Sequence, residues 1–130
     1  MTPIEFDIPI RVANRLNKQH SGWARSRERK AHREAVVFTM RTKIHGRSGL
    51  KLLMPLAVTL TKITPRGRPL DSDGLQSALK TVRDSVAEVI GVDDGNSGYI
   101  WRYAQEFGRE HGVRVRIERE AVTPEKRDER

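Results

Sequence analysis

Two pairs of aspartates flank one helix-like stretch of this chain. Asp71 and Asp73 stand two residues apart where a predicted strand passes into a predicted helix, and Asp93 and Asp94 stand side by side just after that helix. Carboxylates that gather at one place repel each other unless a cation lies between them, and all-oxygen ligands suit Mg²⁺ or Mn²⁺. Such an ion can activate water for phosphodiester hydrolysis, so the pattern indicates metal-assisted chemistry.

The same aspartates also have a purely structural interpretation. Asp71 or Asp73 could be the N-cap of the helix, a role worth about 1 kcal/mol, and Asp73 with Gln76 has the spacing of a capping box. Asp93 and Asp94, followed by glycine, could form a turn. Only one residue can be the N-cap, however, so the second upstream aspartate needs another role.

Lys80 lies on the Asp73 side of the predicted helix. At about 100° per residue, Asp73, Lys80 and Asp84 form one polar stripe nearly opposite the apolar stripe. A lysine there could supply a point charge or take part in proton transfer.

Other chemical motifs fit this sequence less well. DSDG resembles the start of a calcium loop, but Leu75 and Val82 occupy positions that need ligands. The chain has no cysteine, which excludes thiolate sites and disulfides and favours a reducing compartment. The histidines lack a paired metal spacing and are interpreted as surface residues; they are His20, His32, His45 and His111.

Six predicted elements position these groups. Apolar residues alternate in four segments, and a 3.6-residue period favours helices in two others. One helix has its apolar stripe at Ala31, Ala35, Phe38 and Ile44; the other is cleanly amphipathic and ends at Gly91. The elements are strands at about 3–10, 56–62, 99–107 and 113–118 and helices at 23–45 and 75–90, with 108–112 as a hairpin turn. Their order indicates an α/β fold with a small mixed sheet of about four strands and helices on one face.

The 130-residue length suits one domain over residues 1–119, followed by a charged, disordered tail at 120–130. The start of the chain lacks the pattern of a signal peptide, and no apolar run is long enough to span a bilayer. We therefore expect a cytoplasmic protein without a membrane partner.

The positive charge is concentrated in one segment. The whole chain has a net charge of +8, and residues 11–47 contain eleven bases against two acids. Residues 48–98 contain six of each. A basic segment of this kind indicates a polyanionic partner or, alternatively, a solvated charged face.

The acidic residues and their surroundings resemble the RusA-type Holliday junction resolvases. The similarity covers roughly residues 66–98, in the run LDSDGLQ, the later Lys80 and Asp84, and GVDD. It implies a homodimeric Mg²⁺-dependent (or Mn²⁺-dependent) endonuclease that nicks branched DNA in recombination and repair, as in bacteria and their prophages. The catalytic aspartates of the family correspond to Asp71, Asp73 and Asp94, with Asp93 as a supporting metal ligand.

Two positions depart from the family pattern. The family lysine stands one helical turn after the second aspartate, where this chain has Ser77. Lys80 keeps the family interval to Asp84, so we assign the catalytic lysine to Lys80. Gly74 replaces a usual asparagine.

The basic segment acquires a role if the resemblance holds. We expect its bases to contact backbone phosphates without reading the sequence. Trp23 could stack at a junction opening or lie in the core. The predicted DNA-binding residues are Arg11, Arg15, Lys18, Arg25, Arg27, Arg29, Lys30 and Arg33. The alternative function is a basic nucleic-acid-binding protein without catalysis, in which the aspartates only cap a helix and shape a turn.

Overall fold

The part of the chain that the structure describes forms six elements in the order that its sequence predicts. The computed structural model describes residues 3–12, 22–43, 56–90 and 99–119. They are β1 (Ile4–Ile8), α1 (Gly22–Lys43), β2 (Leu56–Thr64), α2 (Ser72–Ile90), β3 (Tyr99–Phe107) and β4 (Gly112–Arg119). The predicted fold class, a mixed four-stranded sheet with two helices, is confirmed.

The strands lie in the order β1-β4-β2-β3. β2 and β3 are parallel, with Leu56 opposite Tyr99 and Thr64 opposite Phe107. β4 runs antiparallel to both of its neighbours, β1 and β2. The predicted hairpin at 108–112 is wrong, because β3 and β4 are separated by β2. An alternating sequence fixes which face each residue occupies but not which strand lies next to it.

The connection between β3 and β4 crosses the end of β2. The Gly108 amide donates a hydrogen bond to the Thr64 carbonyl oxygen at 3.1 Å. A Cβ atom at Gly108 would lie 2.6 Å from Cγ2 of Ile63. This close approach therefore favours glycine at the crossing.

The C-terminal ends of three strands meet at one edge of the sheet. β1, β2 and β3 all run in one direction, since β1 and β2 are both antiparallel to β4. This upper edge comprises residues 9–12, 62–73 and 105–112. The opposite, lower edge holds Leu56 and Tyr99, where β2 and β3 begin.

The hydrophobic core lies between the sheet and the two helices. Alternate residues of the strands face it, including Phe6, Leu60 and Val115, and α2 covers them with an apolar stripe. Complete burial of one such aliphatic side chain contributes about 1.5–3 kcal/mol. The buried stripe of α2 has the predicted spacing; it consists of Leu75, Leu79, Val82, Val86 and Ile90.

The buried face of α1 differs from the predicted one. His32, Val36 and Met40 are buried, whereas Phe38 is 74% exposed. The prediction that His32 is a surface residue is therefore wrong, as is the assignment of Phe38 to the apolar stripe. The moderate apolar content of α1 leaves several faces nearly equivalent, so contacts with α2 and β1 select the one that is buried. Ile44 lies outside the described residues.

The other face of the sheet carries charged side chains. Arg114 Nε lies 3.2 Å from Asp7 Oδ1, and Arg114 Nη1 lies 2.9 Å from Glu106 Oε1. Arg116 Nη1 lies 3.2 Å from Glu5 Oε2. Exposed pairs of this kind each contribute about 0–1 kcal/mol, so they connect the strands without replacing a second core.

Candidate active site

Asp71 is the N-cap of α2. Its Oδ1 accepts a hydrogen bond from the Gly74 amide at 2.7 Å, and its carbonyl oxygen accepts one from the Leu75 amide at 2.9 Å. Of the two predicted candidates for the cap, the structure thus selects Asp71. The cap occupies one carboxylate oxygen in the described structure, and the exposed side chain keeps Oδ2 for another ligand.

Asp73 lies in the first turn of α2 and is exposed. A negative charge there interacts favourably with the helix dipole. The predicted capping-box contact between Asp73 and Gln76 is not the one that forms, because Gln76 Nε2 lies 3.3 Å from the Ser72 hydroxyl oxygen. Asp71 and Asp73 form no ion pair with another described residue.

Gln105 holds the backbone immediately before Asp71. The Leu70 amide donates to Gln105 Oε1 at 2.9 Å, and Gln105 Nε2 donates to the Leu70 carbonyl oxygen at 2.7 Å. Both groups are partly buried, so this pair of bonds fixes the approach of the chain to α2. Sequence reasoning missed Gln105 because its partner is 35 residues away.

Lys80 is paired with Asp84 one turn further along α2. Lys80 Nζ lies 3.0 Å from Asp84 Oδ2, and both side chains are exposed. The predicted polar stripe therefore forms, and in this conformation the lysine is directed toward Asp84. Lys80 is about 10 Å further along the helix axis than Asp73. An exposed lysine has enough rotational freedom to leave this weak pair.

Asp93 and Asp94 lie outside the described residues. The described residues that flank them, Ile90 and Tyr99, belong to the end of α2 and the start of β3. Tyr99 is at the lower edge, whereas Asp71 is at the upper edge. If β3 began beside Asp71, one chain would bring the two acid pairs together. The parallel pairing of β2 and β3 instead starts β3 at the other end of β2, about 26 Å away.

The predicted phosphate-binding bases on α1 lie beside α2. Arg29, Lys30 and Arg33 line a groove of about 330 Å³ whose other wall includes Asp84 and Glu88 of α2. Arg33 Nε donates to Glu88 Oε1 at 3.0 Å, and Arg33 Nη2 also contacts Glu88 Oε2. This bidentate pair raises the pKa of Arg33 and lowers that of Glu88.

The other predicted DNA-binding residues are distributed as follows. Arg25 is partly exposed, and Arg27 is exposed. Arg11 is also exposed and lies at the upper edge. Arg15 and Lys18 lie outside the described residues, and nothing is described of the Trp23 side chain.

Three further basic residues lie at the upper edge with Arg11. Lys62, Arg66 and His111 were absent from the predicted DNA-binding set. Burial and then repulsion from Arg11 lower the pKa of Lys62. Desolvation and then the charges of Arg11, Lys62 and Arg66 lower the pKa of His111. The sequence offered no signal for this group, because its members come from the ends of three different strands.

An aromatic and cationic contact joins α2 to β3. Arg83 Nη1 donates to the Tyr103 hydroxyl oxygen at 2.9 Å, and the Arg83 guanidinium carbon lies 5.1 Å from the centre of the Trp101 ring. This packing favours a fixed position of α2 against the edge strand. Because Gln105 belongs to the same strand, the contact also supports the position of Gln105 relative to Asp71.

The donor chemistry at the start of α2 fits a hard divalent cation. The remaining oxygen of Asp71 and the carboxylate of Asp73 are the ligands that Mg²⁺ prefers, and Mg²⁺ usually keeps several waters beside one or two carboxylates. Within residues 3–12, 22–43, 56–90 and 99–119, no group of three or more His, Asp or Glu side chains is placed to hold a metal ion. The described part of the chain thus supplies two of the predicted ligands.

No protein-family model matches the chain, and no curated protein matches it.

Among the described helices, none is long and apolar enough to cross a membrane.

Proposed function

We propose that this protein is a Mg²⁺-dependent, structure-selective endonuclease that hydrolyses phosphodiester bonds in branched DNA such as Holliday junctions. It would act in the cytoplasm, in recombination and repair. The observation that carries the proposal is the pair of exposed carboxylates, Asp71 and Asp73, without ion-pair partners among the described residues of a chain whose net charge is +8. The residue-level resemblance to RusA-type resolvases supports the same function.

Asp71 and Asp73 would hold the metal ion. When bound, Mg²⁺ neutralises charge on the phosphate and lowers the pKa of a bound water. The bond from the Gly74 amide fixes the Asp71 carboxylate, and the two hydrogen bonds between Gln105 and Leu70 fix the backbone that carries it. Lys80, released from Asp84, would stabilise charge on the phosphate or the leaving oxygen.

A homodimer would complete the metal site with Asp94, supported by Asp93. In one chain, the described ends of the segment 91–98 lie away from Asp71. Two copies related by a two-fold axis can place the lower edge of one beside the upper edge of the other. We infer that each site combines Asp71 and Asp73 of one copy with Asp94 of its partner.

Mixing two inactive variants tests this arrangement. Asp71→Asn and Asp94→Asn should each be inactive as homodimers. In a mixed dimer, a shared site pairs the intact Asp71 of one chain with the intact Asp94 of the other, so nicking of a labelled junction should reappear. If each site is built within one chain, both sites of the mixed dimer stay defective and no nicking returns.

The non-catalytic alternative has its own support. The N-cap geometry of Asp71 and the Lys80–Asp84 pair account for three of these side chains without chemistry. In that case the protein is a basic nucleic-acid-binding protein and its acids are structural.

Asp71→Asn separates the two functions, because asparagine is as good an N-cap as aspartate but loses the charge. We expect the variant to keep wild-type thermal stability and junction binding, to lose Mn²⁺ binding by calorimetry and to lose Mg²⁺-dependent cleavage of a labelled junction. Asp7→Asn is the matched control, since it removes an exposed carboxylate from the other face of the sheet. Wild-type protein that binds no Mn²⁺ and cleaves neither junction nor linear duplex would favour the alternative.

A further inference from the structure

A group of four basic side chains lies at the upper edge of the sheet: Arg11, Lys62, Arg66 and His111. Lys62 follows Leu60 on the core-facing side of β2 and pairs in register with Gln105 of β3 and Val113 of β4. His111 immediately precedes β4, and Arg11 follows the end of β1. The strand ends thus bring together residues that are separated by up to a hundred positions in the sequence.

The described acidic groups near this edge form no ion pair with these bases. Asp71, Asp73 and Glu110 are exposed and have no ion-pair partner among the described residues. Asp7 and Glu106 both pair with Arg114, which lies on the face away from the helices. Among the described residues, the charges that act on Lys62 and His111 are all positive. None of the four bases has an ion-pair partner among the described residues, so the fold leaves these side chains unpaired.

Desolvation, and after it repulsion within the cluster, disfavours the charged forms of Lys62 and His111 and lowers the pKa of each. A bound anion would relieve this repulsion, just as a cation relieves a cluster of carboxylates. Lysine and arginine side chains are the usual ligands of phosphate, and protonated histidine adds two donors.

We propose that Arg11, Lys62, Arg66 and His111 form an anion-binding site for a phosphodiester group of the nucleic-acid backbone. The site lies next to Asp71, because Gln105 is the neighbour of Lys62 in the sheet and holds Leu70 through its side chain. It would fix a phosphate of the same strand near the one that is cut, a contact independent of base sequence. The identity of the ligand as DNA rests on the proposed function; the anion site itself does not.

NMR titration of the histidine rings tests the site directly. In metal-free protein, millimolar inorganic phosphate should raise the pKa of His111 from its lowered value, because the anion stabilises the imidazolium form. The other three histidines serve as internal references. Lys62→Met should weaken this response, whereas Lys43→Met, which removes an exposed lysine at the end of α1, should not.

Binding of a four-way DNA junction in EDTA provides the second measurement. Lys62→Met combined with Arg66→Gln should weaken binding about tenfold and reduce the slope of the salt dependence by about 0.9 for each phosphate that is no longer neutralised. Arg102→Gln combined with Arg119→Gln is the control with the same charge change, at exposed positions of β3 and β4. Linear duplex, measured in parallel, should lose affinity similarly, since the site binds the backbone.

The outcomes separate the two proposals. A phosphate response of His111 together with weaker junction binding by the double variant supports the anion site even if wild-type protein neither binds Mn²⁺ nor cleaves DNA. An unchanged His111 pKa in phosphate overturns the anion site, whatever the activity of the enzyme. Junction affinity and salt dependence equal to those of the control variant overturn it as well.

Discussion

The two helices lie side by side on one face of the sheet but differ in what they contribute. α2 buries a continuous apolar stripe and exposes two aspartates at its N-terminus. α1 buries fewer apolar residues and carries a dense set of bases, of which Arg33 is bound to Glu88 of α2. The difference suggests a division of roles, with chemistry at the start of α2 and backbone contacts along α1. Variants in each helix can test whether these roles are separable.

The largest expected effect is on hydrolysis. Asp73→Asn should reduce Mg²⁺-dependent cleavage of a labelled junction at least about a thousandfold, because it removes a metal ligand, while leaving junction affinity unchanged. Cleavage rates under single-turnover conditions and binding in EDTA measure the two quantities separately. A variant that cleaves at the wild-type rate would remove Asp73 from the site.

The second-largest effect should be on the free energy of unfolding, and it should differ between the two helices. Leu79→Ala in α2 should lower the free energy of unfolding by about 2–5 kcal/mol, since Leu79 is completely buried. Phe38→Ala in α1 should change it by less than about 0.5 kcal/mol, because the ring is 74% exposed. Urea denaturation measures both. Equal losses would contradict the assignment of the α1 buried face to His32, Val36 and Met40.

The bases of α1 should affect binding without affecting turnover. Arg29→Gln combined with Lys30→Gln should weaken junction and duplex binding about tenfold and reduce the slope of the salt dependence by about 0.9 per phosphate left without a cationic partner. The cleavage rate at saturating protein should stay at the wild-type value. Arg33→Gln is the informative comparison, because Arg33 already has a carboxylate partner and should contribute less to DNA binding. A fall in the saturated cleavage rate would show that the helices do not separate these roles.

The smallest effect concerns the contact between the helices. Hydrogen bonding to Arg33 lowers the pKa of Glu88 below its ordinary value of 4.5, so the folded state binds this proton less readily than the unfolded state. The stabilisation is present above pH 4.5 and is lost as the pH falls through the lowered pKa. Glu88→Gln should therefore be slightly less stable than wild type at about pH 7, and the difference should vanish at low pH. Urea denaturation across this pH range measures it, and a difference that grows on acidification would be inconsistent with this pair.

The sequence predicted some local features better than others. The apolar spacing of α2 and the alternation in β1 and β4 are confirmed, because each depends on a repeat within one element. The alternation in β2 and β3 is incomplete: Ala57 and Thr61 of β2 are buried as well, and both faces of β3 contain half-buried residues.

The buried face of α1 was predicted wrongly: Phe38 was assigned to it, whereas His32, Val36 and Met40 form it. Basic residues interrupt the apolar pattern of this helix, so its spacing does not indicate one face. Either Asp71 or Asp73 was predicted to be the N-cap of α2. The hydrogen bond from the Gly74 amide to Asp71 shows that Asp71 is the cap.

The candidate site was predictable only in part. Asp71, Asp73 and Lys80 are close in the sequence, so spacing alone indicated that they share one end or one side of a helix. Gln105, Lys62 and His111 reach the same edge from other strands, and no local pattern predicts such a meeting. The joint site with Asp94 stays a prediction, and the parallel pairing of β2 and β3 changes its expected form from one chain to two.

By itself, the sequence determined the order and extent of the elements, the buried side of the strands and of α2, and the separation of acids from bases. These properties follow from periodicity and composition, which act over a few neighbouring residues. Only the tertiary structure decided that β4 lies between β1 and β2, that α1 buries His32, and that basic residues from three strand ends meet at the upper edge. Those outcomes depend on packing and electrostatic contacts between residues that are distant in the chain, which no local repeat encodes.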